Sequence, residues 1–313
     1  MDVDLSVDLR GLQLKNPVLV ASGTWGWGQE YARLVDPDRL GGLVTKAVTL
    51  RPREGNPPPR TAETPCGLLN SIGLANVGVD RFIEEKLPDL EKLDTALIVN
   101  VAGDDPEEYL EVIRRLEGWA GIDALEINIS CPNVRRGGMA FGTDPKVAHD
   151  LLAAIRSITG RFLIAKLSPN VTDIAAIAVA VAEAGVDALS LINTLVGMAI
   201  DVNSRRPCLS TVTGGLSGPA IRPVALAAVW HTVQSVSLPI IGMGGIRSAA
   251  DAVQFLLAGA RAIQVGTANF VDPRTPLEII AGLKEYCARR EITSVSDLVG
   301  QLRLSDADEG SIS

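Results

Sequence analysis

Short apolar runs recur along the whole chain, and between them apolar residues return every three or four positions. Runs rich in Val, Ile and Leu are typical of strands buried on both faces, whereas the longer spacing is typical of amphipathic helices. The predicted strands are Val18–Ala21, Leu43–Lys46, Leu97–Val101, Ala124–Ile129, Phe162–Leu167, Ala188–Ile192, Ile240–Gly242 and Ala262–Val265. Eight strands alternating with helices predict an α/β fold, a parallel (β/α)8 TIM barrel.

The segments between the predicted strands differ in length and in their start signals. Asp105-Pro106 and Asp144-Pro145 each place an N-cap carboxylate before a proline at the first helical position, which predicts a helix start. Two connections, from Thr49 to about Gly78 and from Thr194 to Gly218, are too long for simple turns. Connections of that length are usually functional lids or small subdomains, so we expect inserted loops over the C-terminal face of the barrel.

Length and composition indicate how many domains the protein has and in which compartment it is expected. At 313 residues and 47% apolar composition the chain has the length of one large barrel, so we expect a single domain over residues 1–313 with a frayed tail at 305–313. The longest apolar stretch, between Asp173 and Glu183, is far shorter than the roughly 20 residues that cross a bilayer. The acidic N-terminus lacks a signal-peptide pattern. We expect a cytoplasmic protein that does not span a membrane.

Charge and cysteine usage exclude other classes of partner. Acidic residues outnumber basic ones by 37 to 29, and the basic residues are scattered, which argues against nucleic acid as the partner. The four cysteines are far apart without a C-x-x-C pair, and there are only two histidines. We therefore expect no metal or iron–sulfur site in this chain, so that any one-electron relay lies on another polypeptide.

Polar residues collect at the predicted strand ends, where a TIM barrel carries its chemistry. They are Ser22, Lys46, Asn100, Asn128, Cys131, Lys166, Asn193 and Thr194. So many amides and ammonium groups at one rim favour a polar ligand over capped strand ends.

Glycines follow the last two predicted strands. Gly242-Met243-Gly244-Gly245-Ile246 comes after the seventh strand and Gly266-Thr267 after the eighth, where barrels commonly bind phosphate through backbone N–H groups. The alternative is that these glycines only form tight turns. Because neither a G-x-G-x-x-G nor a Walker pattern is present, the sequence favours a phosphate-bearing ligand outside the Rossmann and P-loop classes.

Several motifs occur together in a characteristic order. They are Gly55–Arg60, Asn70-Ser71-Ile72-Gly73-Leu74, Ser130-Cys131-Pro132-Asn133 followed by Gly137-Gly138, and Gly242–Ile246. In this combination the chain resembles the dihydroorotate dehydrogenases over nearly its whole length. Cys131 resembles the soluble class, since the quinone-using class has Ser there. Ala21–Gly28 and Gly214–Pro219 are similar to the NAD-linked branch rather than to the fumarate-linked homodimers.

The resemblance implies an FMN flavoenzyme of pyrimidine synthesis that oxidises dihydroorotate to orotate. It places FMN against Ser22, Lys46, Ala47, Asn100, Asn128, Lys166, Ile192, Gly218, Gly244, Gly245, Gly266 and Thr267. It places dihydroorotate against Lys46, Asn70, Ser71, Ile72, Gly73, Leu74, Asn128, Asn193 and Thr194. It further implies an electron-transfer subunit carrying FAD and a 2Fe-2S cluster, with two copies of each subunit in a heterotetramer.

The implied reaction assigns roles to two residues. Oxidising a saturated bond next to a carbonyl removes one proton and one hydride, so a base and a flavin must lie on opposite faces of the substrate. Cys131 is the candidate base, and because the ordinary pKa of cysteine is about 8.5, the site either lowers that pKa or works best at alkaline pH. Lys166 is expected to stabilise negative charge on the pyrimidine edge of the flavin.

Three other functions compete with this one. A fumarate-dependent homodimeric dihydroorotate dehydrogenase shares most of the motifs. A non-redox phosphate-binding barrel, such as an aldolase, explains the glycines and makes Lys166 a candidate for Schiff-base chemistry, but it gives Cys131 no role. A non-catalytic binding barrel explains neither the base nor the two rim lysines.

Overall fold

The computed structural model describes residues 2–28, 30–130 and 141–304. Eight parallel strands form a closed barrel. They are β1 (Val18–Val20), β2 (Gly42–Val44), β3 (Ala96–Val101), β4 (Ala124–Asn128), β5 (Phe162–Lys166), β6 (Ala188–Leu191), β7 (Ile240–Met243) and β8 (Ala262–Val265). The sheet closes where β8 pairs with β1, with Ile263 opposite Val18. The predicted TIM barrel and its eight strands are confirmed.

Helices connect the strands on the outside of the barrel. They are α1 (Val79–Glu85), α2 (Leu87–Leu90), α3 (Pro106–Leu116), α4 (Pro145–Arg156), α5 (Ile174–Glu183), α6 (Arg222–Ser235), α7 (Ala249–Leu257), α8 (Ala268–Val271) and α9 (Thr275–Arg289). Short 3-10 helices cover Pro37–Arg39, Pro219–Ile221 and Val295–Leu298. Asp105 accepts a hydrogen bond from the backbone N–H of Glu108, and Asp144 accepts one from Val147. Both predicted helix starts are therefore confirmed, each with its N-cap carboxylate in place.

An antiparallel hairpin, Val7–Asp8 with Gln13–Leu14, precedes the barrel and was not predicted from the sequence. Its turn lies against the N-terminal ends of the barrel strands, since a side chain at Gly11 would contact the ring of Phe162 at the start of β5. Leu9 and Leu12 in this hairpin are buried. The hairpin therefore adds apolar contacts at the end of the barrel opposite the rim where chemistry is expected.

The two long connections join into one structure. Thr61–Thr64 and Gly67–Asn70 come from the first, Leu195–Met198 and Thr213–Ser217 from the second, and together they form a four-stranded antiparallel sheet, which we call the insertion sheet. Its central pairing sets Leu69 opposite Leu216. A short ladder of Ile200–Asp201 with Arg206–Pro207 extends the second connection. The two connections, expected from their length to form lids or small subdomains, thus pair with each other in one sheet.

No helix within residues 2–28, 30–130 and 141–304 is long and apolar enough to cross a membrane. The tail at 305–313, predicted to be frayed, lies outside the described residues.

Candidate active site

A cavity of about 1210 Å³ opens at the C-terminal ends of the barrel strands and extends under the insertion sheet. Typical ligand pockets occupy roughly 300–1000 Å³, so this cavity has room for more than one small molecule. The predicted site residues that line it are Ser22, Lys46, Ala47, Asn70, Ser71, Ile72, Gly73, Leu74, Asn128, Lys166, Ile192, Asn193, Thr194, Gly218, Gly244, Gly245, Gly266 and Thr267. The fold thus brings together residues that are up to 245 positions apart in the sequence, from Ser22 to Thr267.

Beneath this cavity lies a group of buried polar side chains, which we call the floor: Asn100, Glu126, Lys166, Ser190 and Gln264. Asn100 is fully buried and reaches the others by donating to Glu126, with 2.6 Å between Nδ2 and Oε2. Lys166 Nζ lies 3.5 Å from the same oxygen. Sequence reasoning missed Glu126 and Gln264, although a single polar residue inside an otherwise apolar strand was a visible signal.

The glycines after β7 have backbone conformations that other residues rarely adopt. Gly244 and Gly245 have φ angles of 126° and 75°. A Cβ at Gly245 would lie 2.8 Å from the carbonyl oxygen of Gly218, and one at Gly244 would lie 2.8 Å from the Cβ of Ala225. By contrast, a Cβ at Gly266 would meet no atom closer than 3.8 Å. These positions leave backbone exposed to the cavity, as a phosphate cradle requires.

The opposite wall of the cavity is formed by the loop Asn70–Leu74 and by the segment Asn193–Thr194, which together we call the roof. Asn70 Nδ2 donates to the carbonyl of Gly215, 3.3 Å away in the insertion sheet. The hydroxyl of Ser71 is buried and has no hydrogen-bond partner among the described residues. An unpaired buried hydroxyl beside a cavity can serve a polar ligand.

Lys46 also lines the cavity. Its ammonium nitrogen is 5.7 Å from the centre of the Trp27 ring, within the range of a cation–π contact. Because the ring packs against the lysine, the side chain is partly held in place before any ligand binds.

Comparison with known proteins identifies the family that has this sequence and fold. A profile of the family described as "Dihydroorotate dehydrogenase" matches residues 4–287. The chain belongs to the dihydroorotate dehydrogenase family. Flavoenzymes of this family depend on FMN.

Curated relatives agree over nearly the full chain. A protein of Pelobacter propionicus is 55% identical over 302 residues, covering 96% of this chain and 99% of its own. Proteins of Geotalea daltonii and Desulforamulus reducens are each 54% identical and cover 96% and 97% of this chain, and 99% and 100% of their own. All three are named "Dihydroorotate dehydrogenase B (NAD(+)), catalytic subunit".

A solved structure shares the fold at lower identity. The dihydroorotate dehydrogenase of Eimeria tenella, crystallised in complex with ferulenol, superposes with a TM-score of 0.79 and 24% sequence identity. The match covers 95% of this chain and 88% of the other. At this identity the likeness supports the barrel fold alone.

Cys131, the predicted base, lies outside the described residues. Its predecessor Ser130 lines the cavity, and the Ser130 hydroxyl donates to the carbonyl of Lys166 at 3.0 Å. The residue before Cys131 therefore lies at the cavity wall, beside the end of β5.

The other cysteines are separate from this cavity chemistry. Cys66 is exposed, Cys208 is half-buried and Cys287 is buried, and none of the three forms a disulfide. Within the described ranges no group of three or more His, Cys, Asp and Glu side chains is arranged to hold a metal ion.

The residues present fit an FMN molecule. The glycine cradle offers backbone N–H groups to a phosphate, and the floor offers one ammonium group and two buried amide oxygens, Asn100 Oδ1 and Gln264 Oε1, that have no partner among the described residues. A flavin ring carries both carbonyl acceptors and an N–H donor, so it matches a floor that presents a cation and acceptors together.

Proposed function

We propose that this chain is the catalytic subunit of an NAD-linked dihydroorotate dehydrogenase, which oxidises (S)-dihydroorotate to orotate in de novo pyrimidine (UMP) synthesis in the cytoplasm. The observation that carries the proposal is one cavity with a glycine cradle, a cationic floor with unpaired amide oxygens, and an amide-lined roof. The printed names of the relatives agree with it.

The floor and the glycine cradle would hold FMN. The residues that would hold it are Ser22, Lys46, Ala47, Asn100, Asn128, Lys166, Ile192, Gly218, Gly244, Gly245, Gly266 and Thr267. FMN, when bound, supplies the hydride acceptor of the reaction. Lys166 supports this chemistry because its ammonium group is buried and lies where negative charge develops.

Dihydroorotate binds between this floor and the roof. The residues that would hold it are Lys46, Asn70, Ser71, Ile72, Gly73, Leu74, Asn128, Asn193 and Thr194. An anionic ring with two carbonyls and ring N–H groups needs a cation and amides, because amides can donate and accept at once. Cys131 removes the proton, and the residue before it in the sequence, Ser130, lines the cavity.

The electrons leave through a second polypeptide. An electron-transfer subunit carrying FAD and a 2Fe-2S cluster accepts them and passes them to NAD, and two copies of each subunit form a heterotetramer. Support comes from the words "catalytic subunit" in the names of the relatives and from the lack of a dinucleotide fingerprint in this sequence.

The test is to purify the chain alone and with its electron-transfer subunit. We expect a yellow protein whose flavin is bleached by dihydroorotate, and NADH formation only with the second subunit. Rapid NADH formation by the chain alone would exclude the need for a partner, and efficient turnover with fumarate would move the protein to the homodimeric branch. A colourless chain that takes up no added FMN would favour a non-redox barrel.

A further inference from the structure

One fully buried carboxylate, Glu126, joins all the polar side chains of the floor. Its Oε2 atom accepts from Asn100 Nδ2 at 2.6 Å and faces Lys166 Nζ at 3.5 Å. Its Oε1 atom accepts from Ser190 Oγ at 2.9 Å and from Gln264 Nε2 at 2.8 Å. Side chains from β3, β5, β6 and β8 therefore meet at a residue of β4 to which the reaction assigns no role.

Glu126 fixes the direction in which two amides point. An ionised carboxylate can only accept hydrogen bonds, so both Asn100 and Gln264 must turn their NH2 groups toward it. Their carbonyl oxygens then face away, and both are buried without a hydrogen-bond partner among the described residues. Gln264 also lines the cavity. Buried acceptors without a partner are rare, so the unpaired oxygen of Gln264 at the cavity indicates a bound N–H donor there.

Glu126 also provides the counter-charge of Lys166. The side chain of Lys166 is 7% exposed, and Glu126 is the only acceptor that its Nζ atom contacts among the described residues. The 3.5 Å separation is longer than the roughly 2.7–2.9 Å of a strong charge-assisted hydrogen bond, so the pair balances charge without saturating the ammonium group. An ammonium group has three donors, and those not facing Glu126 are left for a ligand in the cavity.

A purely structural ion pair would look different. Buried polar groups that serve only stability are normally satisfied by one another. Here the carboxylate is satisfied on both oxygens, whereas Asn100 and Gln264 each keep an oxygen without a partner among the described residues. The unpaired oxygens of Asn100 and Gln264 therefore point away from Glu126.

We propose that Glu126 is a positioning residue that holds Lys166 as a charge-balanced cation and fixes the amides of Asn100 and Gln264, so that Lys166 and the Gln264 oxygen at the cavity would set the reduction potential and the affinity of a bound flavin. The proposal rests on the proposed flavoenzyme function. It predicts that a neutral residue of the same shape at position 126 changes the flavin itself, before any substrate is added.

The test is Glu126→Gln in the complex with the electron-transfer subunit, measured by redox titration of the FMN absorbance. Because the variant leaves Lys166 without a counter-charge, reduced flavin is favoured and the potential becomes more positive. We expect the equilibrium to shift at least tenfold toward reduced FMN, which is about 30 mV for a two-electron couple. The FMN dissociation constant, measured by titrating apoprotein, should rise roughly tenfold because one amide loses its partner or turns its oxygen away from the ring.

The matched control is Glu285→Gln, the same substitution at a largely exposed carboxylate that pairs with Arg289 on α9. This control should leave the potential close to that of the parent. If Glu126→Gln binds FMN with the potential and affinity of the parent, Glu126 is a structural residue and the inference is wrong. A parent complex that binds no FMN would instead overturn the proposed function, so the two failures are distinguishable.

A second variant keeps the inference testable if Glu126→Gln does not fold. If Glu126→Gln yields no holoenzyme because an ammonium group is buried without a partner, Glu126→Gln combined with Lys166→Met restores neutrality and should recover folded protein. A double variant no better than the single one would show that the hydrogen bonds of Glu126 matter only for folding.

Discussion

The floor and the roof of the cavity are built in different ways. The floor residues lie on regular barrel strands, are buried, and reach one another through the sheet, as Asn100 and Glu126 do from paired positions on β3 and β4. The roof is partly exposed and depends on contacts between distant parts of the chain, such as the one from Asn70 to Gly215. Barrel geometry thus fixes the groups expected to tune the cofactor, whereas several of the groups expected to recognise the substrate lie on segments outside the barrel strands.

The largest effect is expected at Cys131, the residue that follows Ser130 in the sequence. Cys131→Ala should keep FMN bound, because the flavin contacts lie on the floor, but it should slow flavin reduction by dihydroorotate by about 10²–10⁴-fold. Stopped-flow absorbance measures this rate. Cys131→Ser should be intermediate and active only at higher pH, because a hydroxyl loses its proton less readily than a thiol.

A matched control for this variant is Cys208→Ala, which removes a half-buried thiol from the second insertion. It should reduce its flavin at the rate of the parent. If Cys131→Ala were reduced equally fast, the base would have to be sought among the residues of the roof.

The second largest effect is expected on the floor itself. Lys166→Ala should weaken FMN retention or slow flavin reduction by about 10²–10³-fold, because it removes the cation next to the developing charge. It also leaves the Glu126 carboxylate buried without a counter-ion, which costs about 3–5 kcal/mol of the free energy of unfolding. Urea titration and FMN binding measure the two losses separately.

Lys146→Ala is the control for the loss of a lysine, since Lys146 is largely exposed and pairs with Asp150 on the surface. It should change neither quantity by a measurable amount. Unchanged stability and FMN affinity in Lys166→Ala would show that the floor does not depend on this ion pair.

The same contrast explains what the sequence could predict. All eight barrel strands were found because each is a buried apolar run, and the rim residues were found because they follow those runs. Glu126 was missed because it lies two residues before the end of β4, whereas the candidate site residues were sought at the strand ends. The insertion sheet could not be paired from the sequence, since no local pattern links Leu69 to Leu216. The N-terminal hairpin has strands of two residues, too short for any periodicity.

A smaller effect is expected from a change in the insertion sheet, at a strand that pairs with the one leading into the roof. A Cβ at Gly214 would lie 2.6 Å from the carbonyl oxygen of Asn70 and 2.5 Å from Leu209, so Gly214→Ala must displace the strand that carries the roof loop. We expect KM for dihydroorotate to rise roughly tenfold, since this corresponds to about one hydrogen bond, while FMN affinity stays unchanged. Gly160→Ala is the control because a Cβ there meets nothing within 4 Å. Loss of FMN from Gly214→Ala would mean that floor and roof are not separable.

The smallest effect concerns a titratable group remote from both regions. Cys287 on α9 is fully buried, and burial, followed by the Asp297 carboxylate, raises the pKa of its thiol above the ordinary value. The folded protein therefore keeps this proton to a higher pH than the unfolded chain does. The resulting stabilisation is fully present below the unfolded pKa of about 8.5 and is lost as pH rises through the folded pKa.

Cys287→Ala removes the titration, so its Tm should fall less than that of the parent between about pH 7 and about pH 10. Cys66→Ala, which removes an exposed thiol, should follow the parent. Because Cys131 is untouched in both variants, the pH dependence of flavin reduction should match that of the parent, which would separate the pH dependence of activity at the cavity from that of stability at α9. An equally steep fall of Tm in Cys287→Ala would assign the alkaline loss of stability to other groups.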